Sequence, residues 1–406
     1  MYDKNLKDNN FSIKAKNVTL GKLNIYKIKK DTNKLLVIFL LFSMVFTPSD
    51  SMNIKIFSLL TLLIINLNVI VRYVFKYENS IILFYGMIFP MGLIIISTII
   101  NQFNLMTSIS IAYIMFYLLL IPILFYYKID YEGILLKALM LMAIVITLSG
   151  LLDLFGIYNL NNNIIMTFLK ENNEAKVGLW PATTFGYVIF LKASPLLIIL
   201  IGYTLRHKRY ILLMITILAM AFTGTRANLY ALFLVICVYY LYFEKLKISK
   251  IVIIFLAVLI FLLNINNIIE FITNASYRKE YSDITKYNHI ISIAYFLNEH
   301  PLYIVTGSGL GSFFYSTGVM DYTNLTEIAY LDLFRQIGLI GFVPFVYFLV
   351  KPIRCLFIIK ENNWIAISYI GYLLICFTNP LLFSSTPFTL YILVYLKYLD
   401  CKGKNI

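Results

Sequence analysis

The chain has 406 residues, of which 60% are hydrophobic and only 13% are charged, and its formal net charge is +14. A water-soluble globular domain carries much less apolar material, so the composition excludes that class and predicts a membrane protein with several spans. The positive charge is then explained by membrane topology and by attraction to anionic lipid headgroups, and nucleic acid is not an expected partner.

The chain begins with a basic segment, residues 1–33, that lacks the small-residue cleavage site of a signal peptide. Nine lysines and no arginine occur within the first 34 residues. This pattern predicts a solvated cytoplasmic tail, followed by a single transmembrane domain over residues 34–406.

The apolar residues of that domain come in blocks of about 20, the length that crosses a bilayer as a helix. They predict an all-α polytopic membrane protein with about twelve transmembrane helices. The predicted spans are 34–49, 54–72, 80–99, 106–127, 134–155, 186–205, 209–223, 226–243, 250–264, 328–350, 364–380 and 383–398.

With the amino terminus inside, the cytoplasmic connections are rich in lysine and arginine, as the positive-inside rule requires. These cations are Arg72, Lys76, Lys128, Arg206, Lys208, Arg209, Lys245, Lys247, Lys250, Lys351, Arg354 and Lys360. We therefore predict a cytoplasmic membrane protein with both termini in the cytoplasm. Two long connections, 156–185 and 265–327, are predicted to be external loops, and we expect the function on that face.

The sequence TGTR at 223–226 separates the seventh predicted span from the eighth at the external surface. Thr223 or Thr225 is expected to cap the eighth helix, and Gly224 to allow a tight turn. The free N–H groups and the positive end of the helix dipole favour an anion beside Arg226, which predicts a phosphate site. The alternative is that Arg226 only anchors the helix end at the membrane interface.

The second long connection contains apolar residues at steps of three and four, which predict an amphipathic helix over 281–298 lying along the outer interface. The apolar residues are Ile284, Tyr287, Ile291, Ala294 and Leu297. The helix either covers the bundle or acts as a lid that presents Arg278 and Lys279 to a substrate. The glycines of GSGLGS, 307–312, do not match a dinucleotide motif and predict a tight re-entry of the chain toward the membrane.

Three charged residues lie near the external start of the next apolar helix: Glu327, Asp332 and Arg335. Charges at that depth need a partner or a cavity, and Asp332 and Arg335, three residues apart, are predicted to pair. Glu327 has no obvious local partner and is therefore the candidate general base or acid. Lys192, inside the sixth predicted helix, either contacts a lipid phosphate or extends outward to the interface.

Cysteine and histidine are too few and too scattered to predict a metal centre. The four cysteines, Cys237, Cys355, Cys376 and Cys401, fall in predicted helices or on the cytoplasmic side, and only three histidines occur. We therefore expect no external disulfide framework, no metal and no cofactor.

Four segments together resemble the bacterial O-antigen polymerase and O-antigen ligase superfamily of membrane glycan-transfer proteins. In order along the chain they are TGTRANLYAL, Tyr277-Arg278, HPLYIVTGSGLGSF and EIAYLDLFRQIGLIG, within about 223–341. Their order and the two long external loops carry the resemblance.

The resemblance implies a GT-C-like bundle and a metal-independent glycosyltransferase that acts on undecaprenyl-pyrophosphate-linked oligosaccharides. Such an enzyme would polymerise repeat units into O-antigen or capsule on the outer face of the membrane. Its expected partners are a flippase and a chain-length regulator. Arg226 and Arg278 would neutralise the pyrophosphate leaving group, and Lys279, Lys192 and Arg335 are further candidate substrate contacts.

Two alternatives remain at this point. Ligase-like members carry a histidine where this sequence has Glu327, which disfavours the ligase. A flippase or other transporter of the lipid-linked unit would suit the helix number. However, the halves show no hydropathy repeat, and the polar residues gather at the outer end instead of the midplane.

Overall fold

A computed structural model describes residues 20–49, 53–76, 80–100, 104–157, 164–179, 187–243 and 280–403 of the chain. The predicted span at 250–264 and the candidate residues Arg278 and Lys279 lie outside these ranges. Residues 1–19 of the basic segment also lie outside them, whereas residues 20–33 continue the first helix instead of forming a separate tail.

The described residues are mostly helical. The α-helices are α1 (Leu20–Phe46), α2 (Ile54–Ile65), α3 (Leu67–Lys76), α4 (Ser80–Leu83), α5 (Phe89–Ile95), α6 (Leu105–Ala112), α7 (Leu120–Tyr127), α8 (Tyr131–Leu154), α9 (Ile164–Glu171), α10 (Leu197–Arg206), α11 (Tyr210–Phe222), α12 (Arg226–Phe243), α13 (Glu280–Glu299), α14 (Leu302–Thr306), α15 (Ala329–Ile358), α16 (Asn363–Ile375) and α17 (Ser385–Gly403). The strands are β1 (Ala175–Leu179), β2 (Tyr187–Leu191), β3 (Phe314–Ser316) and β4 (Asp321–Thr323).

Several of these helices identify a membrane-embedded protein. Among the described residues, four helical stretches are long and apolar enough to cross a bilayer: Ile81–Ile99, Leu105–Tyr127, Tyr131–Leu154 and Ala329–Ile358. A fifth is added if α2 and α3, which are bent by 67° relative to each other, form one broken span. Helices α10, α11 and α12 are apolar but shorter. The number of twelve spans therefore stays a prediction.

In two of the spans, an irregular turn precedes a proline. A π-helical turn, Phe84–Ile88, precedes Pro90, and a 3₁₀ stretch, Tyr113–Leu119, precedes Pro122. Proline has no N–H to donate and its ring crowds the preceding turn, so the hydrogen-bond pattern changes locally while the chain stays helical.

The prediction of an all-α fold is wrong in detail, because both long connections contain a small antiparallel hairpin. In the first, β1 pairs with β2, with Val177 opposite Ile189; in the second, β3 pairs with β4, with Tyr315 opposite Tyr322. The first hairpin occupies the start of the predicted span 186–205, so the helix there begins later. The apolar run of residues 187–191 was long enough for either element, and pairing with β1 favours the strand.

Inside the bundle, tyrosine hydroxyls donate to backbone carbonyls of α15, one of which lacks its usual helical donor. Pro352 in α15 has no N–H, so the carbonyl of Phe348 loses its usual helical partner. The Tyr395 hydroxyl donates to that carbonyl at 2.8 Å, and the two rings stack. Tyr369 donates in the same way to Leu349 at 2.9 Å. These contacts hold α16 and α17 against α15 without leaving a polar group unpaired in an apolar environment.

One end of the bundle, which we call the site end, is where α1, α8, α11 and α16 end. Helices α10, α12 and α15 begin at the same end. The contacts that show this are Lys192 with Ser49, Gly150 with Phe222, and Tyr330 with Leu373. The charged and polar residues of α13 and of the two hairpin regions lie at this end. The candidate functional residues within the described ranges are therefore gathered there.

The glycine-rich segment 307–312 packs into a kink of α15. Gly338 has a φ of 58° inside the helix and breaks its hydrogen-bond pattern. The backbone N–H groups of Ser308 and Gly309 donate to the carbonyls of Arg335 and Gln336, at 2.9 and 3.0 Å. This segment is buried and is held by hydrogen bonds instead of being a free turn, while its re-entry toward the membrane stays a prediction.

We expect Gly338→Ala to destabilise the protein by about 2 kcal/mol or more, because a positive φ is costly for alanine. In addition, a Cβ atom at this position would overlap the backbone of Val305 and Gly307. The unfolding midpoint in detergent measures the loss. Gly92→Ala is the matched control, since a Cβ there meets no atom within 4 Å. Equal midpoints for the two variants would contradict the close packing at the kink.

Candidate functional site

The site is organised by α13, whose polar residues at steps of three form one line. Asp283, Lys286 and His289 each contact a different element at the site end, and Ser292 extends the line by one more step. Residues three apart on a helix lie on the same face, about 5–6 Å from each other. Helix α13 therefore connects α12, the start of α15 and the β3–β4 hairpin.

At one end of this line, Arg226 forms an ion pair with Asp283. Arg226 Nη2 donates to Asp283 Oδ1 at 2.6 Å, and the two side chains are 36% and 54% exposed. Arg226 is the first residue of the apolar helix α12, so its guanidinium lies beside the positive end of a helix dipole. Two sources of positive charge thus converge on one carboxylate.

The turn before Arg226 differs in part from its prediction. Gly224 has a φ of 64°, which confirms the tight turn. The Thr223 hydroxyl donates back to the carbonyl of Met220 at 2.6 Å, and its oxygen accepts the Asn228 amide at 3.0 Å. Thr223 thus closes the preceding helix. Asn228 is fully buried, and its Oδ1 has no hydrogen-bond partner within the described part of the chain.

In the middle of the line, Lys286 lies 3.5 Å from the carboxylate of Glu327. The sequence predicted that Glu327 has no partner among its neighbours along the chain. Its partner in the structure, Lys286, comes from α13. Glu327 remains half exposed, with 49% of its side chain accessible, so its second oxygen is open to a ligand. A half-exposed carboxylate held beside a lysine can accept a proton from a bound hydroxyl.

At the other end of the line, the buried His289 ring contacts the β3–β4 hairpin. His289 Nδ1 lies 2.6 Å from Ser316 Oγ, and Ser292 bonds Thr317 at 2.9 Å. Burial lowers the pKa of His289, while the carboxylates of Glu327 and Asp332 oppose this effect. A lowered pKa leaves the ring neutral at pH 7, which suits its hydrogen bond with a serine hydroxyl.

Arg335 of α15 is fully buried, in contrast to Arg226. Its guanidinium pairs with Asp332 at 2.8 Å, which confirms the predicted pair, and the two side chains are 0% and 3% exposed. It also donates to Ser308 Oγ and to Ser312 Oγ and carbonyl oxygen, and it lies over the Phe314 ring. These partners surround the guanidinium, so in this structure it holds the glycine-rich segment to α15 and faces no open surface.

Lys192 belongs to a second polar cluster at the site end. It lies in the turn after β2, before the helix begins, so its placement inside the sixth helix is wrong. The apolar residues before it, Tyr187–Leu191, form a strand that pairs with β1, so the helix begins later than predicted. Lys192 Nζ donates to Ser49 Oγ, and the backbone N–H of Ser49 donates to the buried carboxylate of Glu174 at 2.9 and 3.0 Å.

Asp283, Lys286 and His289 are the functional candidates that the sequence analysis did not select. The predicted helix is confirmed, but only part of its predicted apolar face is buried: Ile284 and Tyr287 are exposed, whereas Leu297 is buried. The buried positions combine the polar His289 and Ser292, which contact the hairpin, with Ile293 and Leu297, which pack against Phe314. The spacing of three between charged residues was a signal in the sequence, and a search limited to apolar periodicity missed it.

The described side chains at the site end include cations that an anion could contact. No group of three or more histidine, cysteine, aspartate or glutamate residues that could hold a metal occurs in the ranges described above. Arg226, Lys286 and Lys192 at the site end are each paired with a carboxylate or a hydroxyl. An incoming anion would therefore exchange with a partner that is already in place.

The resemblance to glycan-transfer proteins rests on short motifs, of which TGTRANLYAL and the segments within 300–341 fall in described residues. The structure brings TGTR and Glu327 to the same helix, α13, through Asp283 and Lys286. No protein-family model matches the chain, and no curated protein sequence matches it either.

Proposed function

We propose that the protein polymerises undecaprenyl-pyrophosphate-linked oligosaccharide repeat units into a surface polysaccharide, O-antigen or capsule. The observation that carries this proposal is the partly exposed Arg226 at the start of the apolar helix α12, whose partner Asp283 lies one helical turn of α13 away from the Lys286–Glu327 pair. A cation at the membrane interface suits the pyrophosphate of a lipid carrier, and a nearby carboxylate suits a sugar hydroxyl.

In the proposed reaction, the hydroxyl oxygen of the acceptor sugar attacks the anomeric carbon of the donor chain. The bond from that carbon to the pyrophosphate oxygen breaks, and the lipid pyrophosphate leaves with the electron pair. Arg226 stabilises the charge on the leaving group through hydrogen bonds that do not depend on pH. Glu327 takes the proton of the attacking hydroxyl. Arg278 and Lys279, outside the described residues, are proposed as further contacts of the pyrophosphate.

The proposal places the site end on the outer face of the bacterial cytoplasmic membrane, with both termini in the cytoplasm. Lys128 and Arg206 lie at helix ends remote from the site end, and Lys351 lies in the half of α15 that is remote from it; the positive-inside rule favours the cytoplasm for all three. The external side is also where a lipid-linked repeat unit meets a growing surface chain. A flippase or a chain-length regulator would be a partner in the same membrane.

Deletion of the gene, followed by gel electrophoresis of the cell's surface polysaccharide, tests this function. Polymerisation predicts loss of the ladder of repeat lengths, with single repeat units still present at the surface. Plasmid-borne wild-type protein should restore the ladder. Loss of every unit from the surface, with lipid-linked units trapped on the cytoplasmic leaflet, would instead indicate a flippase and contradict the proposal.

We expect Glu327→Gln to lower the polymerisation rate by about 10²-fold or more, since it removes the proton acceptor but keeps the side-chain shape. Binding of the lipid pyrophosphate should change much less, so kcat falls more than KM. Glu299→Gln, at the exposed end of α13, is the matched control and should retain the wild-type rate. An unchanged rate for Glu327→Gln would assign the base to another residue.

A further inference from the structure

Asp283 presents an anionic oxygen to Arg226, as a ligand phosphate would. Its carboxylate oxygen lies 2.6 Å from the guanidinium Nη2, beside the amino-terminal end of α12. Carboxylates and phosphates bind guanidinium groups through equivalent oxygen positions. A pyrophosphate that used Arg226 fully would therefore have to take the place of the Asp283 carboxylate.

The exposure of this pair makes such an exchange feasible. Arg226 and Asp283 are 36% and 54% exposed, so water screens their attraction. A pyrophosphate carries more negative charge than one carboxylate and forms more hydrogen bonds with the same guanidinium. The buried Arg335–Asp332 pair at 0% and 3% exposure has no such access, which distinguishes the two arginines.

A displaced Asp283 has a favourable alternative position. It is the fourth residue of α13, which begins at Glu280, so its carboxylate lies in the first turn of that helix. Negative side chains in a first turn are stabilised by the helix dipole and by the free N–H groups there. The contacts of Lys286 with Glu327 and of His289 with Ser316 lie further along α13. They hold the helix in place while the Asp283 side chain rotates.

We propose that Asp283 is an internal competitor for the pyrophosphate at Arg226. The carboxylate occupies Arg226 when the site is empty, moves to solvent when the lipid pyrophosphate binds, and returns as the spent carrier leaves. This inference rests on the proposed function and adds a specific role: Asp283 limits the affinity of the site for pyrophosphate and so promotes release of the product.

Calorimetric titration of the purified full-length protein in detergent with inorganic pyrophosphate tests the inference. We expect Asp283→Asn to bind pyrophosphate about threefold to fivefold more tightly than wild type, the factor that an exposed ion pair contributes to an equilibrium. Asp321→Asn removes an equal charge from the exposed β4 strand and is the control for a general charge effect. It should leave the affinity within about twofold of wild type.

The outcomes separate the inference from the proposed function. Unchanged or weaker binding by Asp283→Asn, with binding lost in Arg226→Ala, overturns the competitor and leaves Arg226 as the pyrophosphate residue. An equal gain for Asp283→Asn and Asp321→Asn also overturns it, since charge alone would then explain the effect. Wild-type binding by Arg226→Ala would overturn both the site and the competitor.

Discussion

Replacing Arg226 with alanine is expected to remove nearly all polysaccharide longer than one repeat unit, a loss of about 10²–10³-fold in polymerisation rate. This factor is typical of losing one group that stabilises charge on a leaving oxygen. Arg226 has no buried network to maintain, because it is partly exposed and its ion pair with Asp283 is exposed as well. The ladder gel of complemented deletion cells measures the loss, and protein abundance in the membrane should stay at the wild-type level.

Two variants make this result specific to the guanidinium group. Arg226→Lys should restore the ladder only in part, because a lysine provides one point charge where the arginine provides a planar fork of donors. Arg209→Ala is the matched control, since Arg209 also precedes an apolar helix, α11, but lies at the other end of the bundle, over the Tyr203 ring. A full ladder from Arg226→Ala would show that the residue only anchors α12.

Replacing Arg335 with alanine is expected to destabilise the fold by about 3–5 kcal/mol, the cost of leaving a buried charge without its partner. Asp332 would keep a carboxylate at 3% exposure without its guanidinium, and the segment 307–312 would lose the donors that bind Ser308 and Ser312. The unfolding midpoint in detergent and the yield of monodisperse protein measure this effect. Polymer should fall with the amount of folded protein, in contrast to Arg226→Ala.

A double variant separates the ion pair from the surrounding packing. Arg335→Met with Asp332→Leu removes both charges, so it should be more stable than Arg335→Met alone, in which the carboxylate is left unpaired. If the single and double variants unfold at the same temperature, the unpaired Asp332 carboxylate costs no stability, which would contradict a stabilising role for the ion pair.

The comparison of Arg226 with Arg335 shows how exposure decides the role of a charged residue. Both arginines follow short polar motifs in the sequence, and both are candidate pyrophosphate contacts there. In the structure, Arg335 has its donors filled by Asp332 and by the backbone and hydroxyl groups of 308–312. Arg226 has one exposed partner that can be exchanged. The tertiary structure therefore favours Arg226 as the ligand-binding arginine.

Local sequence information was sufficient for several elements of the site. The helix over 281–298, the tight turn at Gly224 and the pair of Asp332 with Arg335 all depend on residues within a few positions of one another. Periodicity, a glycine in a turn and a spacing of three report such short-range geometry directly. The strand at 187–191 was missed because its pairing with β1 lies outside that range, and a short apolar run fits either element.

The amino-acid sequence by itself determined that this is a helical membrane protein and where most of its helices lie. Hydrophobic length and charge distribution control those properties one segment at a time. Only the tertiary structure decided which face of α13 is buried and which groups meet there. Arg226 and Asp283 are 57 residues apart in sequence, and the whole β3–β4 hairpin lies between Lys286 and Glu327 in sequence. Such pairs form because packing at the site end brings distant polar groups together, and no local pattern encodes that proximity.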